Sequence, residues 1–289
     1  MSDDRDISLP QHSSHSRHWR ENLYVYPVIS RRSKGLSIGI NVNPDTACNF
    51  DCVYCQVDRT VEPRVRDVDL DVVRSELERM IALATSGRLW QEPQFAGVPE
   101  ERRRLNDIAL SGDGEPTTFR EFKECVQLVA DCKEAAELRD VKIVLITDAC
   151  YLMKRNVAAA LEIMDDNQGE IWAKLDAGTE EYYRLVNRPN YPLEHVVRNI
   201  TAAATMRPVV IQSLFLRLEG TPPSYSEIGA FIDRMHEIRE RGGAIDRVQV
   251  YTVARTPAED YATALSREEI DDLSKRVEQA GFRVETYYG

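Results

Sequence analysis

The sequence predicts an α/β fold, a parallel sheet whose strands are joined by crossover helices. Three observations carry that expectation. Apolar runs of strand length alternate about six times with stretches of helical periodicity. Runs such as Val141–Ile146 are β-branched, the pattern of a strand covered on both faces. The polar clusters follow the strands, and residues at that end of parallel strands are placed to meet a ligand. Six such units fall short of the eight that close a full βα barrel.

Residues 1–20 are rich in Ser, His, Asp and Arg and read as a disordered polar tail, with His12, His15 and His18 recurring at intervals of three. Residues 21–289 read as a single domain with its core at about 35–255. Leu23–Ile29 is expected to form a lead-in strand or a cover, and Leu36–Val42 the first core strand. Leu70, Val73, Leu77, Met80, Ile81 and Ala84 recur at helical spacing behind Asp69, a plausible N-cap. Residues 86–106 form a long mixed connection, read as a lid, a partner surface or an insertion, and the Arg102-Arg103-Arg104 run that ends it reads as a solvated face. Strands follow at Ile108–Leu110, Val141–Ile146, Ile171–Asp176, Val209–Leu216 and Val248–Val253, with helices between them. Ser266 and Glu269 have capping-box spacing for a last helix, and residues 266–287 supply that helix and a final strand.

The formal charge of −11 argues against bulk nucleic-acid binding. No apolar run reaches the ~18 residues of a membrane span. Six cysteines in 289 residues do not read as a disulfide scaffold, and the expectation is a soluble, cytoplasmic protein.

The chemistry concentrates in Cys48-Asn49-Phe50-Asp51-Cys52-Val53-Tyr54-Cys55, directly after the first core strand. Thiolates at C-x3-C-x2-C spacing are iron–sulfur ligands by type, and three of them leave one iron of a four-iron cube open. A zinc knuckle is the alternative, but it would want a fourth Cys or His nearby, and none follows before Cys125. Ser111-Gly112-Asp113-Gly114-Glu115-Pro116-Thr117 follows a second strand, and its glycines permit unusual backbone angles and close approach. Lys174 and Asp176 share a face of the Ile171–Asp176 strand, which is costly unless they are paired or functional.

With these motifs the sequence resembles the radical S-adenosylmethionine (SAM) enzymes, nearest to the wyosine-synthase-like iron–sulfur oxidoreductases. The cysteine string with Tyr54 before its last cysteine, Gly35–Gly39, Ser111–Thr117 and Lys174-Leu175-Asp176-Ala177 carry the resemblance. It implies a partial (β/α)6 TIM-like barrel with short N- and C-terminal extensions. It further implies a [4Fe-4S] cluster on Cys48, Cys52 and Cys55, with SAM chelating the open iron. The turn resembles the family's Gly-Gly-Glu-Pro motif, with Asp113 inserted between the glycines. Gly112, Asp113, Gly114 and Glu115 would then hold the amino group of SAM, and Tyr54 would lie near its adenine. Thr147, Gln212, Arg217 and Tyr251, at or after strand ends, are further candidates for the cofactor, and Lys174 and Asp176 for catalysis.

The implied reaction is one-electron cleavage of SAM to methionine and a 5′-deoxyadenosyl radical, which takes hydrogen from a substrate. An external donor such as flavodoxin or ferredoxin would supply the electron. The substrate stays open among a small molecule, a peptide and a nucleotide. Two other readings stand beside this one. The first is an iron–sulfur electron carrier or sensor without catalysis, against which the Gly112–Glu115 turn argues. The second is tRNA base modification of the wyosine type, from which the chain departs because it has no cysteine before Cys48.

Overall fold

The computed structural model describes residues 19–289, so the polar stretch with His12, His15 and His18 lies outside the described residues. The chain divides into two compact units. Of the described residues, the first comprises 19–47, 62–145 and 156–170, and the second 48–61, 146–155 and 171–289.

In the first unit, β1 (Val25–Ser30) runs antiparallel to β2 (Gly35–Ile40), and β3 (Leu105–Leu110) pairs parallel with β2. β4 (Lys142–Thr147) pairs parallel with β3 through Leu110 and Leu145. Helix α1 (Leu70–Thr85) starts where the sequence places it: Asp69 accepts from the N–H groups of Asp71 at 2.9 Å and Val72 at 3.3 Å. Val73, Leu77, Met80, Ile81 and Ala84 form its buried stripe. The same helix buries Glu76, whose carboxylate accepts the backbone N–H groups of Leu23, Tyr24 and Val25 at 2.7, 3.0 and 3.0 Å. Those donors lie just before β1 and at its first residue, so one side chain fixes how β1 enters the sheet. Helices α2 (Phe122–Ala135) and α3 (Arg155–Asp165) complete this part of the fold.

The 86–106 connection is ordered. It holds two short 3-10 turns, Arg88–Gln91 and Glu100–Arg102, and buries Leu89, Phe95 and Val98. Phe95 packs against Trp90 at 6.4 Å and Trp19 at 5.6 Å, and Trp19 is buried although composition assigned it to the polar tail. Arg103 donates to the carbonyls of Val98 at 2.8 Å and Ala96 at 3.0 Å, so one arginine of the run holds the loop together.

The second unit carries β5 (Gly169–Lys174) from Ile171 on, β6 (Val209–Leu218), β7 (Ile245–Thr252) and β9 (Val284–Tyr287), paired parallel in that order. The expected final strand is thus the parallel neighbour of β7. A short β8 (Ala262–Ala264), which no sequence pattern announced, lies antiparallel on the end of β6. Helices α4 (Glu180–Asn187), α5 (Leu193–Ala204), α6 (Tyr225–Glu240) and α7 (Arg267–Gln279) connect the strands. The capping box of Ser266 and Glu269 is formed at the start of α7. Register aligns Lys174 with Gln212 and Gln212 with Gln249, so a polar row crosses three strands on one face. On the other face of β6, Phe215 packs edge-on against Phe231 of α6 at 5.2 Å. Among the described residues no helix is long and apolar enough to cross a membrane.

Asp107 on β3 gives a test of the first unit's packing. Burial pushes its carboxyl up to about 6, against the opposing hydrogen bond from Ser37. The folded chain therefore binds this proton more tightly than the unfolded chain, and the contribution to stability falls as pH rises from about 4 to about 6. A shift of this size corresponds to about 3 kcal/mol. Asp107→Asn should be more stable than wild type at pH 7 and show a flatter dependence of melting temperature on pH between 4 and 6. Parallel pH dependences of the two proteins would contradict this.

Candidate functional site

The cysteine loop belongs to the second unit and is built on backbone hydrogen bonds. Cys48, Cys52 and Cys55 are half-buried and outside any disulfide, and the Cys55 N–H closes a tight turn onto the Cys52 carbonyl at 2.9 Å. From the end of α4, the carbonyls of Asn187 and Val186 accept the N–H groups of Asp51 at 3.0 Å and Val53 at 2.9 Å. The Asn190 N–H donates back to Asn49 O at 3.0 Å. On the other flank, the N–H groups of Ala258 and Glu259 donate to the carbonyls of Cys55 at 2.7 Å and Val53 at 3.2 Å. Val53 is fully buried among Val186, Leu214, Leu216 and Tyr251. Arg188 takes a left-handed conformation (φ 43°) just past α4. Its guanidinium joins Glu259 at 2.6 Å, Asp51 at 3.4 Å and the Tyr261 hydroxyl at 2.6 Å. The loop is thus held from two sides by segments far away in sequence.

Behind the cysteines, Asp176 gathers four donors. Its Oδ2 accepts from the Tyr54 hydroxyl at 2.5 Å and Asn187 Nδ2 at 2.8 Å. Its Oδ1 accepts from the Leu214 N–H at 2.8 Å and pairs with Lys174 Nζ at 3.0 Å. A carboxylate offers about four lone-pair sites, so all are engaged. Lys174 also donates to the Tyr251 hydroxyl at 2.6 Å. The ion pair that the sequence left as one of two readings is therefore formed, and Asp176 serves to position its neighbours. Burial alone would lower the Lys174 pKa, but the charge of Asp176, with Tyr251, outweighs it and the net direction is up. Burial, then the Asp176 charge, pushes the Tyr54 hydroxyl well above its ordinary range. Burial and Asp176 likewise push the Cys52 thiol up to about 12, so a metal bound there must displace a tightly held proton.

The glycine turn belongs to the first unit. Asp113 N–H donates to Asn41 Oδ1 at 3.1 Å, and Asn41 Nδ2 donates to the Asp113 carboxylate at 2.6 Å. The Glu115 N–H donates to the carbonyl of Ala47 at 3.0 Å, and the carboxylate accepts from Thr117 N–H and Oγ1 at 3.1 and 2.5 Å. A Cβ on Gly112 would lie 2.1 Å from Asn41 Oδ1, and one on Gly114 would lie 2.0 Å from Ala47 O. Neither glycine has positive φ. Both are required by close approach to the protein's own chain after β2, and not by unusual backbone angles. Glu115 is buried, 3% exposed.

The remaining candidates are dispersed. Thr147 is buried, and its Oγ1 accepts the Ala149 N–H at 3.0 Å. Gln212 donates to Gln249 Oε1 at 3.0 Å within the polar row. Arg217 is committed to Glu269 at 2.5 Å and the Gly220 carbonyl at 2.6 Å, away from the Asp176 network. Tyr251 is part of that network. Asn187 was missed: in sequence it is one polar residue of the break Asn187–Pro192, and only its position at the end of α4 before a left-handed residue marks it.

The donor set fits an iron–sulfur cluster. All three side chains are thiols on one braced loop, and an amide N–H, that of Asn187, lies 3.4 Å from Cys52 Sγ. Among the described residues no three Cys, His, Asp or Glu side chains converge on a point where a single ion could be held.

A family model described as the Radical SAM superfamily matches residues 42–217, more than half of the chain. A Brachyspira hyodysenteriae protein named GTPase Obg is 24% identical over 87% of this chain and 33% of its own length. The UPF0026 protein MJ1312 of Methanocaldococcus jannaschii is 29% identical over 58% of this chain and 44% of its own. The chain thus spans less than half the length of either relative. Two solved structures share the fold. One is a radical SAM methyltransferase from Sphaerobacter thermophilus, with TM-score 0.63 and 15% identity over 91% of this chain and 69% of that one. The other is TYW1 with a lysine-pyruvate adduct bound, with TM-score 0.52 and 15% identity over 86% and 74%. The fold class is therefore the partial (β/α)6 barrel of the radical SAM type.

Removing the ammonium from the Lys174–Asp176 pair tests whether the network holds the second unit together. Lys174→Ala leaves a buried carboxylate with one partner fewer, and breaking a buried pair typically costs about 3–5 kcal/mol. The variant should melt well below wild type; an unchanged melting temperature would show that the pair carries no structural load.

Proposed function

The chain belongs to the radical SAM superfamily, and on that premise we propose that it is an enzyme that cleaves SAM with one electron and abstracts hydrogen from a substrate. The observation that carries the reading is the cysteine loop: three cysteines within eight residues, braced by backbone hydrogen bonds from two sides. Such bracing suits a cluster that must cycle between oxidation states with little movement of its ligands.

Cys48, Cys52 and Cys55 would hold the [4Fe-4S] cluster, and Glu115 with the Gly112–Gly114 turn would receive the amino group of SAM. When bound, cluster and SAM supply the one-electron chemistry that generates a hydrogen-abstracting radical. The protein's own part is placement. Asp176 fixes the Tyr54 hydroxyl and so the orientation of the aromatic ring between Cys52 and Cys55. Lys174 spends two N–H donors on Asp176 and Tyr251, which leaves a third for an acceptor atom on the substrate. The charge on Lys174, favoured by Asp176, suits an anionic or carbonyl-bearing substrate group. A small one-electron carrier such as flavodoxin or ferredoxin is the expected reductant.

Anaerobic reconstitution should give about four irons per chain. After reduction with dithionite, added SAM should yield 5′-deoxyadenosine and methionine, and Cys52→Ala should abolish both. Glu115→Gln should keep the cluster and weaken SAM binding roughly 10- to 150-fold, the worth of a charge-assisted hydrogen bond of about 1.5–3 kcal/mol. A fully loaded, reduced cluster that releases no deoxyadenosine above the Cys52→Ala background would make the protein an electron carrier instead.

A further inference from the structure

Asn187 is fully buried at the end of α4, and its amide reaches both Asp176 and the cysteine loop. Its backbone carbonyl already braces the loop through Asp51, so the side chain is a separate matter. Nδ2 lies 2.8 Å from Asp176 Oδ2, 3.4 Å from Cys52 Sγ and 3.4 Å from the Tyr54 hydroxyl oxygen. A carboxylate only accepts hydrogen bonds, so Asp176 fixes which end of the amide faces it and spends one of two N–H bonds. For the second N–H, 3.4 Å is long for an oxygen acceptor but suits the larger sulfur atom. Oδ1 is buried without a hydrogen-bond partner. The amide is therefore oriented entirely through its donor end, with Asp176 on one side and the sulfur of Cys52 on the other.

We propose that Asn187 is a positioning residue that sets the reduction potential of the cluster by donating an N–H to the Cys52 sulfur. The inference rests on the cluster assignment made above. An electron added to a thiolate-ligated cluster increases the negative charge on its sulfurs, and an N–H dipole aimed at one of them offsets that charge. The need is local. The buried Asp176 carboxylate lies 2.8 Å from Asn187 Nδ2 and the Cys52 sulfur 3.4 Å from the same atom, so a negative group sits beside the sulfur. Asn187 stands between the two groups and presents a positive dipole to each. Without it the cluster would be harder to reduce, so an external one-electron donor would load it less completely.

The test is a redox titration of the reconstituted full chain, followed by electron paramagnetic resonance. Asn187→Leu removes both donors at similar volume, and Asn187→Ala removes them without adding bulk. Tyr183→Phe is the control, since it deletes another buried hydroxyl that has no hydrogen-bond partner. At fixed solution potential, both Asn187 variants should show a reduced-to-oxidised ratio on the order of tenfold lower than wild type, equivalent to about 59 mV for one electron. Tyr183→Phe should not move. Equal potentials in wild type and the Asn187 variants, at full iron loading, would overturn the inference and leave the cluster assignment intact. Variants that melt early and hold no cluster beside a loaded wild type would make the amide a structural brace and also overturn it. A wild type that takes up no iron would instead remove the cluster assignment itself.

Discussion

Placing a carboxylate in a protein interior costs several kcal/mol unless hydrogen bonds replace the water it leaves, and the second unit is arranged around meeting that cost for Asp176. Its donors come from four places in the chain: Tyr54 in the cysteine loop, Lys174 in β5, Asn187 at the end of α4 and the backbone of Leu214 in β6. Because each donor has one acceptable position, the carboxylate fixes their mutual geometry. Its side chain is fully buried. Moving any one donor would expose the charge to an apolar neighbourhood, so loop, strand and helix end are held as a single arrangement.

The first unit solves a different problem by different means. The glycine turn must pass so close to Asn41 and Ala47 that no side chain fits at Gly112 or Gly114. Asn41 meets Asp113 through both its amide oxygen and its amide nitrogen. The carbonyl of Ala47, which accepts from Glu115, belongs to the residue immediately before Cys48.

Much of this was legible in the sequence. Strand and helix alternation, the Asp69 cap, the stripe on α1 and the Ser266 capping box depend on side-chain pattern over short distances, and all formed. The cysteine spacing and the Lys174–Asp176 pair were visible because they are local combinations of rare or costly residues. What stayed hidden depends on partners distant in sequence. Glu76 looks like any helix glutamate until three backbone N–H groups from residues 23–25 meet it. Asn187 looks like a helix terminator, and β8 is too short to show a period. Trp19 sits in a polar stretch and is drawn inward by Phe95, which lies 76 positions later in the chain.

The bonds from Ala258 and Glu259 to the carbonyls of Cys55 and Val53 join positions more than 200 residues apart in the chain. The cysteines leave the ribosome well before the stretch of peptide that completes their support. Until then the carbonyls of Val53 and Cys55 face water, and closing so large a loop carries an entropy cost that only the assembled strands β6 and β7 can offset. The support of the cysteine loop is therefore ordered in time, and a nascent chain carries the three thiols unbraced until residues 258 and 259 have emerged.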